Sequence, residues 1–368
     1  MTIGVLKEGD GENRVVLLPE HVASLVKKEF TVQVEKEAGK TAFASDESYV
    51  EAGATIRNRA EIVKDADMLF SIHAPTESLP KGKILISVLS PLTNKPVVEK
   101  LAKEGVTSFS LDMIPRSSRA QAVDVLSSMA TVAGYKSVLV AASALPGFFP
   151  MFMSASGTIK PSRVLILGAG VAGLQALATA RKLGAVVEVF DVRAAVKEEV
   201  QSLGGKFVEV EGAKDEASAG GYAVEQSDEY KKKQAELIQQ HAIQSDVVIT
   251  TAQIPGRKAP VLITKETVAS MKAGSVIIDL ASSTGGNCEL TKDNATVDVG
   301  GVSIIGNSNF ASTTPSDASK MLGNNYLNFL KLMIGEDGKV DLDVEDEIVQ
   351  ETCITRDGAI VNERVKGV

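Results

Sequence analysis

A glycine-rich segment carries the clearest chemical signal in the chain. The sequence VLILGAGVAGLQALATARKLGAVVEVFD places Gly168, Gly170 and Gly173 in the spacing G-x-G-x-x-G, between an apolar strand and an alanine-rich helix. The first glycine permits a tight turn, the second admits a pyrophosphate, and the third lets the helix lie close to the strand. A turn that binds no ligand is the alternative, but this context favours a dinucleotide site.

An acidic residue follows the motif at the distance that selects between nucleotides. Asp191 ends the next predicted strand, 18 residues after Gly173 (191 − 173). A carboxylate there accepts hydrogen bonds from ribose hydroxyls and repels a 2′-phosphate, so we expect NAD(H) rather than NADP(H). Arg193, two residues further on, could soften that preference. The other candidate cofactor-binding residues nearby are Ala169, Val171, Val192, Gln234, Ala252 and Gln253.

Three more loops follow strands of the same predicted sheet, at the edge where parallel sheets bind ligands. They read TTAQIPGRKAP, ASSTGGN and EGAKDEASAGGYAVEQ. The last is long, charged and rich in small residues, which predicts a mobile lid with Gly221 and Tyr222 at its hinge or tip. An uninvolved surface excursion is the alternative for this loop.

A second polar cluster, PRSSRAQAVDVLSS, lies where a predicted strand meets a predicted helix. A helix that begins near residue 119, capped by a serine at 117 or 118, would place Gln121, Asp124 and Ser127 about one turn apart. With Arg116 beside them, these side chains could fix a nicotinamide amide and its ribose. A solvated helix face is the alternative.

Other polar residues give weaker signals. His73 follows a buried strand and could be a general acid or base, although a lone histidine is more often structural. Arg14 could bind an anion or pair with a carboxylate. We expect His21 on a helix surface, and His241 near a helix C-terminus, where a positive charge suits the dipole. The three histidines have no spacing that indicates a metal site.

Strands that alternate with helices throughout the chain predict the α/β class. We expect two Rossmann-like parallel-sheet domains joined by long helices, with the second over residues 127–314. The first is expected to be discontinuous, over 1–126 and 315–368, because the helix SKMLGNNYLNFLKLM should pack back on it. Residues 137–159 lack charge, but prolines and glycines interrupt them, so we expect a buried interdomain helix followed by a loop rather than a membrane span.

Composition narrows the partners. The 368 residues carry a net charge of −8, which argues against nucleic acid because phosphate binding needs a basic face. Two cysteines form no disulfide framework, and the charged N-terminus lacks the apolar core of a signal peptide. A reducing, cytoplasmic setting is expected.

The quoted segments also resemble a known family. The N-terminal ENRV, the run PRSSRAQAVDVLSSMATVAGY, the glycine-rich motif, TTAQIPGRKAPVLIT, NNYLNFLK and TRDGAIV resemble the NAD(H)-binding component of proton-translocating NAD(P) transhydrogenases over nearly the whole chain. That resemblance implies direct hydride transfer between NAD(H) here and NADP(H) on a partner component. It also implies a membrane component that couples the transfer to proton translocation, a homodimer, and a location at the inner face of the cytoplasmic membrane through the partners.

The resemblance implies roles for particular residues. Arg116, Gln121 and Asp124, with Ser127 nearby, correspond to the family's nicotinamide loop. Asp191 corresponds to its ribose-binding aspartate, and Tyr222, beside Gly221, to its mobile-loop tyrosine.

Two alternatives remain open. Alanine dehydrogenases share the fold, but that family uses a lysine near residue 73 and a histidine near residues 87–90, where this chain reads SIHAP and ISVLSP. Arg14, which that family uses for the substrate carboxylate, is present. The other alternative is a catalytically idle NAD(H)-binding module that regulates a partner.

Overall fold

The computed structural model describes residues 1–210, 228–254, 256–335, 340–342 and 345–367. Numbered in chain order, its strands are β1 Thr2–Val5, β2 Thr31–Glu35, β3 Thr55–Arg57, β4 Met68–Phe70, β5 Ile84–Ser87, β6 Thr107–Ser110, β7 Phe152–Ser154, β8 Gly157–Ile159, β9 Arg163–Leu167, β10 Val186–Phe190, β11 Lys206–Phe207, β12 Val247–Thr250, β13 Val276–Asp279, β14 Ala295–Val299, β15 Val302–Gly306, β16 Cys353–Arg356 and β17 Ala359–Ile360. Its helices are α1 Pro19–Val26, α2 Asp46–Glu51, α3 Arg59–Asp65, α4 Lys95–Glu104, α5 Val125–Ala144, α6 Val171–Lys182, α7 Lys197–Ser202, α8 Asp228–Ile243, α9 Lys265–Ser270, α10 Pro315–Leu332, α11 Glu347–Thr352 and α12 Glu363–Lys366. The chain divides into two compact units, 1–129 with 311–368, and 130–310.

The first unit is built on a sheet with strand order β17-β16-β6-β5-β4-β1-β2-β3. Strands β1 to β6 pair in parallel, whereas β16 pairs antiparallel with β6 and β17 antiparallel with β16. Helix α10 packs on this sheet: Tyr326 and Phe329 are fully buried, and the Tyr326 hydroxyl donates to the Ser71 carbonyl at 2.8 Å. The unit is therefore discontinuous in sequence.

The second unit has the strand order β11-β10-β9-β12-β13-β15-β14. All neighbours pair in parallel except β14, which is antiparallel to β15. The strands β12 and β13 are buried along their whole length, as expected for parallel strands covered on both faces. The order reverses between β9 and β12, which is where a doubly wound sheet opens a ligand crevice at its carboxyl edge. The predicted α/β class with parallel sheets is confirmed.

Residues 137–159 depart from the expected helix followed by a loop. Helix α5 ends at Ala144, before Pro146, and β7 and β8 form an exposed antiparallel hairpin where a loop was predicted. Among the described residues, α5 is the only helix long and apolar enough to cross a membrane. Its second half belongs to the core of the second unit, where Val138 and Ala141 are fully buried.

Candidate functional site

The glycine-rich turn joins β9 to α6 as the spacing predicts. Gly168 has a φ of +110°, a conformation that side chains with a Cβ rarely adopt. A Cβ on Gly173 would lie 1.8 Å from the Gly168 carbonyl oxygen, so the helix can begin here only with glycine. A Cβ on Gly170 would instead meet nothing within 4 Å, and its φ of −79° suits any residue. The fold therefore explains Gly168 and Gly173, while the open space at Gly170 suits a close ligand.

Helix α6 presents its positive end at this turn. Gly170 is the N-cap residue and has no side chain to bond the first N–H groups of the helix, so an anion can reach them. Ala169 is buried beneath the turn, whereas Val171 is exposed at the first helical position. This arrangement suits the phosphates of a nucleotide.

Asp191 lies directly beside the turn, at the carboxyl end of β10. Its Oδ2 accepts the Ala169 N–H at 2.7 Å, and its Oδ1 accepts the Arg193 N–H at 2.8 Å. The Arg193 guanidinium donates to both carboxylate oxygens, at 2.9 and 3.0 Å, and this hydrogen bonding raises the pKa of Arg193. Val192 is exposed between them. The carboxylate is therefore held at the position where a ribose would lie.

The loop after β12 approaches the same turn. Thr251 Oγ1 donates to the Gly168 carbonyl at 3.2 Å, next to the half-buried Ala252. The Gln253 side-chain amide donates to the Leu280 carbonyl at 2.9 Å, so that nitrogen joins two loops of the protein. The structure thus brings together the glycine turn, Asp191 and the segment 251–253.

The remaining predicted cofactor residues lie elsewhere. Gln234 is half-buried on α8. Gly221 and Tyr222 lie outside the described residues.

The polar cluster of the first unit differs from the predicted helix face. Residues Ser118–Val123 form a 3-10 helix, and Asp124 leaves helical geometry at ψ 92° before α5 begins at Val125. The expectation that Gln121, Asp124 and Ser127 share one side of a single helix is therefore wrong. The predicted serine cap is also wrong, because Ser117 precedes the 3-10 helix without capping it through its side chain.

Asp124 is itself the cap of α5. Its Oδ1 accepts the Ser127 N–H at 2.9 Å, and its Oδ2 accepts the Ser127 hydroxyl at 2.5 Å. Asp124 and Ser127 therefore form one hydrogen-bonded pair, while Gln121 and Arg116 are exposed on the segment before it.

Two amides from α10 fix that segment, and sequence reasoning did not find them. The Asn325 and Asn328 side chains both donate to the Ala122 carbonyl, at 3.0 and 3.1 Å. Both lie more than 200 residues from Ala122 in sequence, so local pattern gives no signal for them.

A buried ionic cluster occupies the carboxyl edge of the first sheet, on the loops after β1 and β4. The Arg14 guanidinium donates to both oxygens of Glu12, at 2.7 and 2.5 Å, and His73 Nε2 lies 3.2 Å from Glu12 Oε2. Burial alone would raise the pKa of Glu12, but the hydrogen bonds from Arg14 and His73 hold it below its ordinary value. Of the two predicted roles, Arg14 takes the one of pairing with a carboxylate.

The other histidines are structural. His21 is buried rather than on a helix surface, because its Nδ1 accepts the Leu18 N–H at 2.9 Å and caps α1 from within. His241 lies in the last turn of α8, as expected, with its Nδ1 2.7 Å from Glu188 Oε2.

The chain matches known families along almost its full length. The profiles named Alanine dehydrogenase/PNT, N-terminal domain, and Alanine dehydrogenase/PNT, C-terminal domain, match residues 4–133 and 137–363. The chain is 46% identical to an NAD(P) transhydrogenase subunit alpha chain of Rhodospirillum rubrum, over 100% of this chain and 99% of that protein.

Solved structures give the same pattern. The crystal structure of a transhydrogenase from Sinorhizobium meliloti superposes with a TM-score of 0.90 at 40% identity, covering 98% of this chain and 100% of that one. An L-alanine dehydrogenase follows at a TM-score of 0.82 and 26% identity, covering 100% and 98%. The chain therefore belongs to the alanine dehydrogenase/PNT family, as an NAD(P) transhydrogenase component rather than an alanine dehydrogenase.

Proposed function

We propose that this chain binds NAD(H) and exchanges hydride directly with NADP(H) held by a partner component. The observation that carries the proposal is the Asp191 carboxylate, fixed 2.7 Å from the Ala169 N–H of the glycine turn. A carboxylate there accepts ribose hydroxyls and repels a 2′-phosphate. A transhydrogenase component that selects NAD(H) needs its second nucleotide, NADP(H), on another polypeptide or domain.

The residues of this chain would have distinct tasks in that reaction. The glycine turn and the start of α6 would bind the pyrophosphate, with Ala169, Gly170 and Val171 nearest to it. Asp191, Val192 and Arg193 would contact the adenosine ribose, with Ala252 and Gln253 on the neighbouring loop. Tyr222, Gly221 and Gln234 complete the cofactor-binding set that we propose.

Arg116, Gln121, Asp124 and Ser127 would hold the nicotinamide ring and its ribose. Direct transfer between two nicotinamides needs orientation and exclusion of water, but no group that takes a substrate proton. The hydrogen-bonded pair of Asp124 and Ser127 suits orientation, because each side chain fixes the other.

The amino-acid dehydrogenase alternative rests on Arg14. In the structure Glu12 accepts from the Arg14 Nε and Nη2, the donors that would bind a substrate carboxylate. The geometry therefore favours transhydrogenation.

The test is to mix the chain with the NADP(H)-binding component of a transhydrogenase and to follow formation of NADPH from NADH and NADP⁺. We expect exchange, and we expect Asp191→Ala to weaken NADH binding by about thirtyfold, since hydrogen bonds to a charged group contribute about 2 kcal/mol. No exchange, with both nucleotides shown to be bound, would refute the proposal. NADH oxidation by pyruvate and ammonia would establish the dehydrogenase alternative instead, and NADH binding without turnover in either assay would leave the regulatory module.

We also propose a homodimer, and a membrane component that couples the exchange to proton translocation at the inner face of the cytoplasmic membrane. The hairpin of β7 and β8 exposes Phe152, Met153 and Ile159, with Phe148 stacked 4.4 Å from Phe152 between ring centroids. Apolar patches of this kind are typical of interfaces. Sedimentation should show a dimer that Phe152→Ser with Met153→Ser converts to a monomer, and an unchanged mass would contradict this role.

A further inference from the structure

Two fully buried polar residues, Asp279 and Asn287, lie behind the candidate nucleotide site in the second unit. Asp279 ends β13, and Asn287 lies on the loop that follows it. Neither belongs to the nucleotide-binding set proposed above. Burying such groups is costly unless every polar atom is bonded, so their presence requires an account.

The Asn287 side chain holds the loop 251–263 at two points. Its Oδ1 accepts the Ala252 N–H at 3.0 Å, and its Nδ2 donates to the carbonyls of Ala252 at 2.9 Å and Pro260 at 2.8 Å. Its own carbonyl accepts the N–H groups of Leu262 and Ile263. One residue therefore fixes both the start and the end of this loop.

Asp279 fixes Asn287 in turn. The Asp279 Oδ2 accepts the N–H groups of Asn287 at 2.7 Å and Cys288 at 3.0 Å, and the Thr291 hydroxyl at 2.7 Å. Its Oδ1 accepts the Ala281 N–H at 2.9 Å. The carboxylate thus anchors the loop after β13, and Asn287 transmits that position to the loop after β12.

The topology indicates which half of a nucleotide this loop would meet. Asp191 assigns the adenosine ribose to the half of the sheet formed by β9, β10 and β11. A doubly wound sheet binds the other nucleotide of the pair on its second half, which here is β12, β13 and β15. The loop 251–263 follows β12 and reaches the glycine turn through Thr251, so it borders the nicotinamide half of the crevice.

We propose that Asn287, anchored by Asp279, is a positioning residue for the nicotinamide half of NAD(H). It acts through the backbone of Ala252 and Pro260 and does not itself touch the nucleotide. This inference rests on the proposed function and extends it to residues that set the loop geometry. Without the amide, the loop loses its fixed position, and binding energy from the nicotinamide half falls while the adenosine half is unaffected.

The experiment compares NADH with AMP, which carries only the adenosine half, by calorimetric titration. We expect Asn287→Ala to weaken NADH binding by about tenfold, equivalent to about 1.4 kcal/mol, and to leave AMP binding unchanged. Thr291→Val keeps the side-chain shape and removes one hydrogen bond to Asp279. We expect it to weaken NADH alone by about threefold, which keeps the test informative if Asn287→Ala does not fold.

The matched control is Asn362→Ala in the first unit. Asn362 is also buried, donates to the Glu351 carbonyl at 2.8 Å and caps α12, so its loss should lower stability without changing either affinity. Equal losses for NADH and AMP, or no loss for either, in Asn287→Ala and Thr291→Val would overturn the inference. Failure of the unsubstituted chain to bind NADH would overturn the proposed function and the inference together.

Discussion

The two units satisfy buried carboxylates in different ways. In the second unit, Asp279 is fully buried and bonds to backbone N–H groups and a hydroxyl. In the first unit, Glu12 bonds to the charged side chain of Arg14 and to His73. Both groups follow parallel strands at the carboxyl edge of a sheet, where ligands usually bind.

The difference indicates what each edge can do. In the second unit the buried polar groups shape loops, and the crevice lined by the glycine turn and Asp191 remains open to a ligand. In the first unit the charges neutralise one another, so the edge resembles a packed core more than a substrate site. The second unit is therefore the better candidate for nucleotide binding, and ion pairing dominates the stability of the first unit's edge.

The strongest test of this comparison is Glu12→Gln. The substitution leaves the buried Arg14 guanidinium without a carboxylate, and breaking a buried pair costs about 3–5 kcal/mol. We expect a loss of that size in urea unfolding, with hydrogen exchange accelerated at β1 and β4. NADH affinity should stay unchanged, because the substitution is in the first unit.

Glu37→Gln serves as the matched control. Glu37 pairs with Lys40 and Lys7 on the surface, and such exposed pairs contribute little. Equal stability of the two variants would show that the Glu12 cluster does not stabilise the first unit.

The glycine turn tests the second half of the comparison. Gly173→Ala drives a Cβ into the Gly168 carbonyl, so we expect a loss of about 3 kcal/mol in stability. Gly170→Ala faces open space, so we expect normal stability but NADH binding weakened by at least about tenfold, because the methyl group meets the pyrophosphate. Normal NADH affinity in Gly170→Ala would contradict a nucleotide at this turn.

Asp124 separates capping from chemistry. Asp124→Asn retains an N-cap acceptor, so stability should stay nearly unchanged, while Asp124→Ala should lose about 1 kcal/mol. If the carboxylate orients the nicotinamide, Asp124→Asn should slow hydride transfer more than it weakens NADH binding. Wild-type rates in Asp124→Asn would reduce Asp124 to a helix cap.

Sequence reasoning succeeded where the determinants are local. The parallel strands are apolar along their length, and the glycine turn lies within one strand–turn–helix unit, so both were predictable. It failed for β16 and β17, which are short edge strands, and for the exposed hairpin of β7 and β8.

It also failed where distant residues decide the local structure. Spacing alone predicted one continuous helix through Asp124. The 3-10 segment there is held by Asn325 and Asn328, which lie some two hundred residues away and have no recognisable pattern. The Glu12–Arg14 pair was one of two alternatives because only the folded loop decides whether Arg14 meets a carboxylate.

The smallest expected effect concerns His73 and tests the ionic cluster without unfolding it. The hydrogen bond to Glu12 raises the pKa of His73 above its ordinary 6.5 and outweighs burial, which lowers it; Glu8 adds to the rise and Arg14 opposes it. A raised folded-state pKa means that this pair stabilises the fold below pH 6.5 and that the contribution is lost as pH rises through the folded pKa. NMR titration should therefore show a His73 pKa above 6.5 that falls in Glu12→Gln. His21, whose pKa burial lowers, should not change. An unaltered His73 pKa in Glu12→Gln would show that Glu12 does not set the charge of this histidine, and that the cluster consists of Arg14 and Glu12 alone.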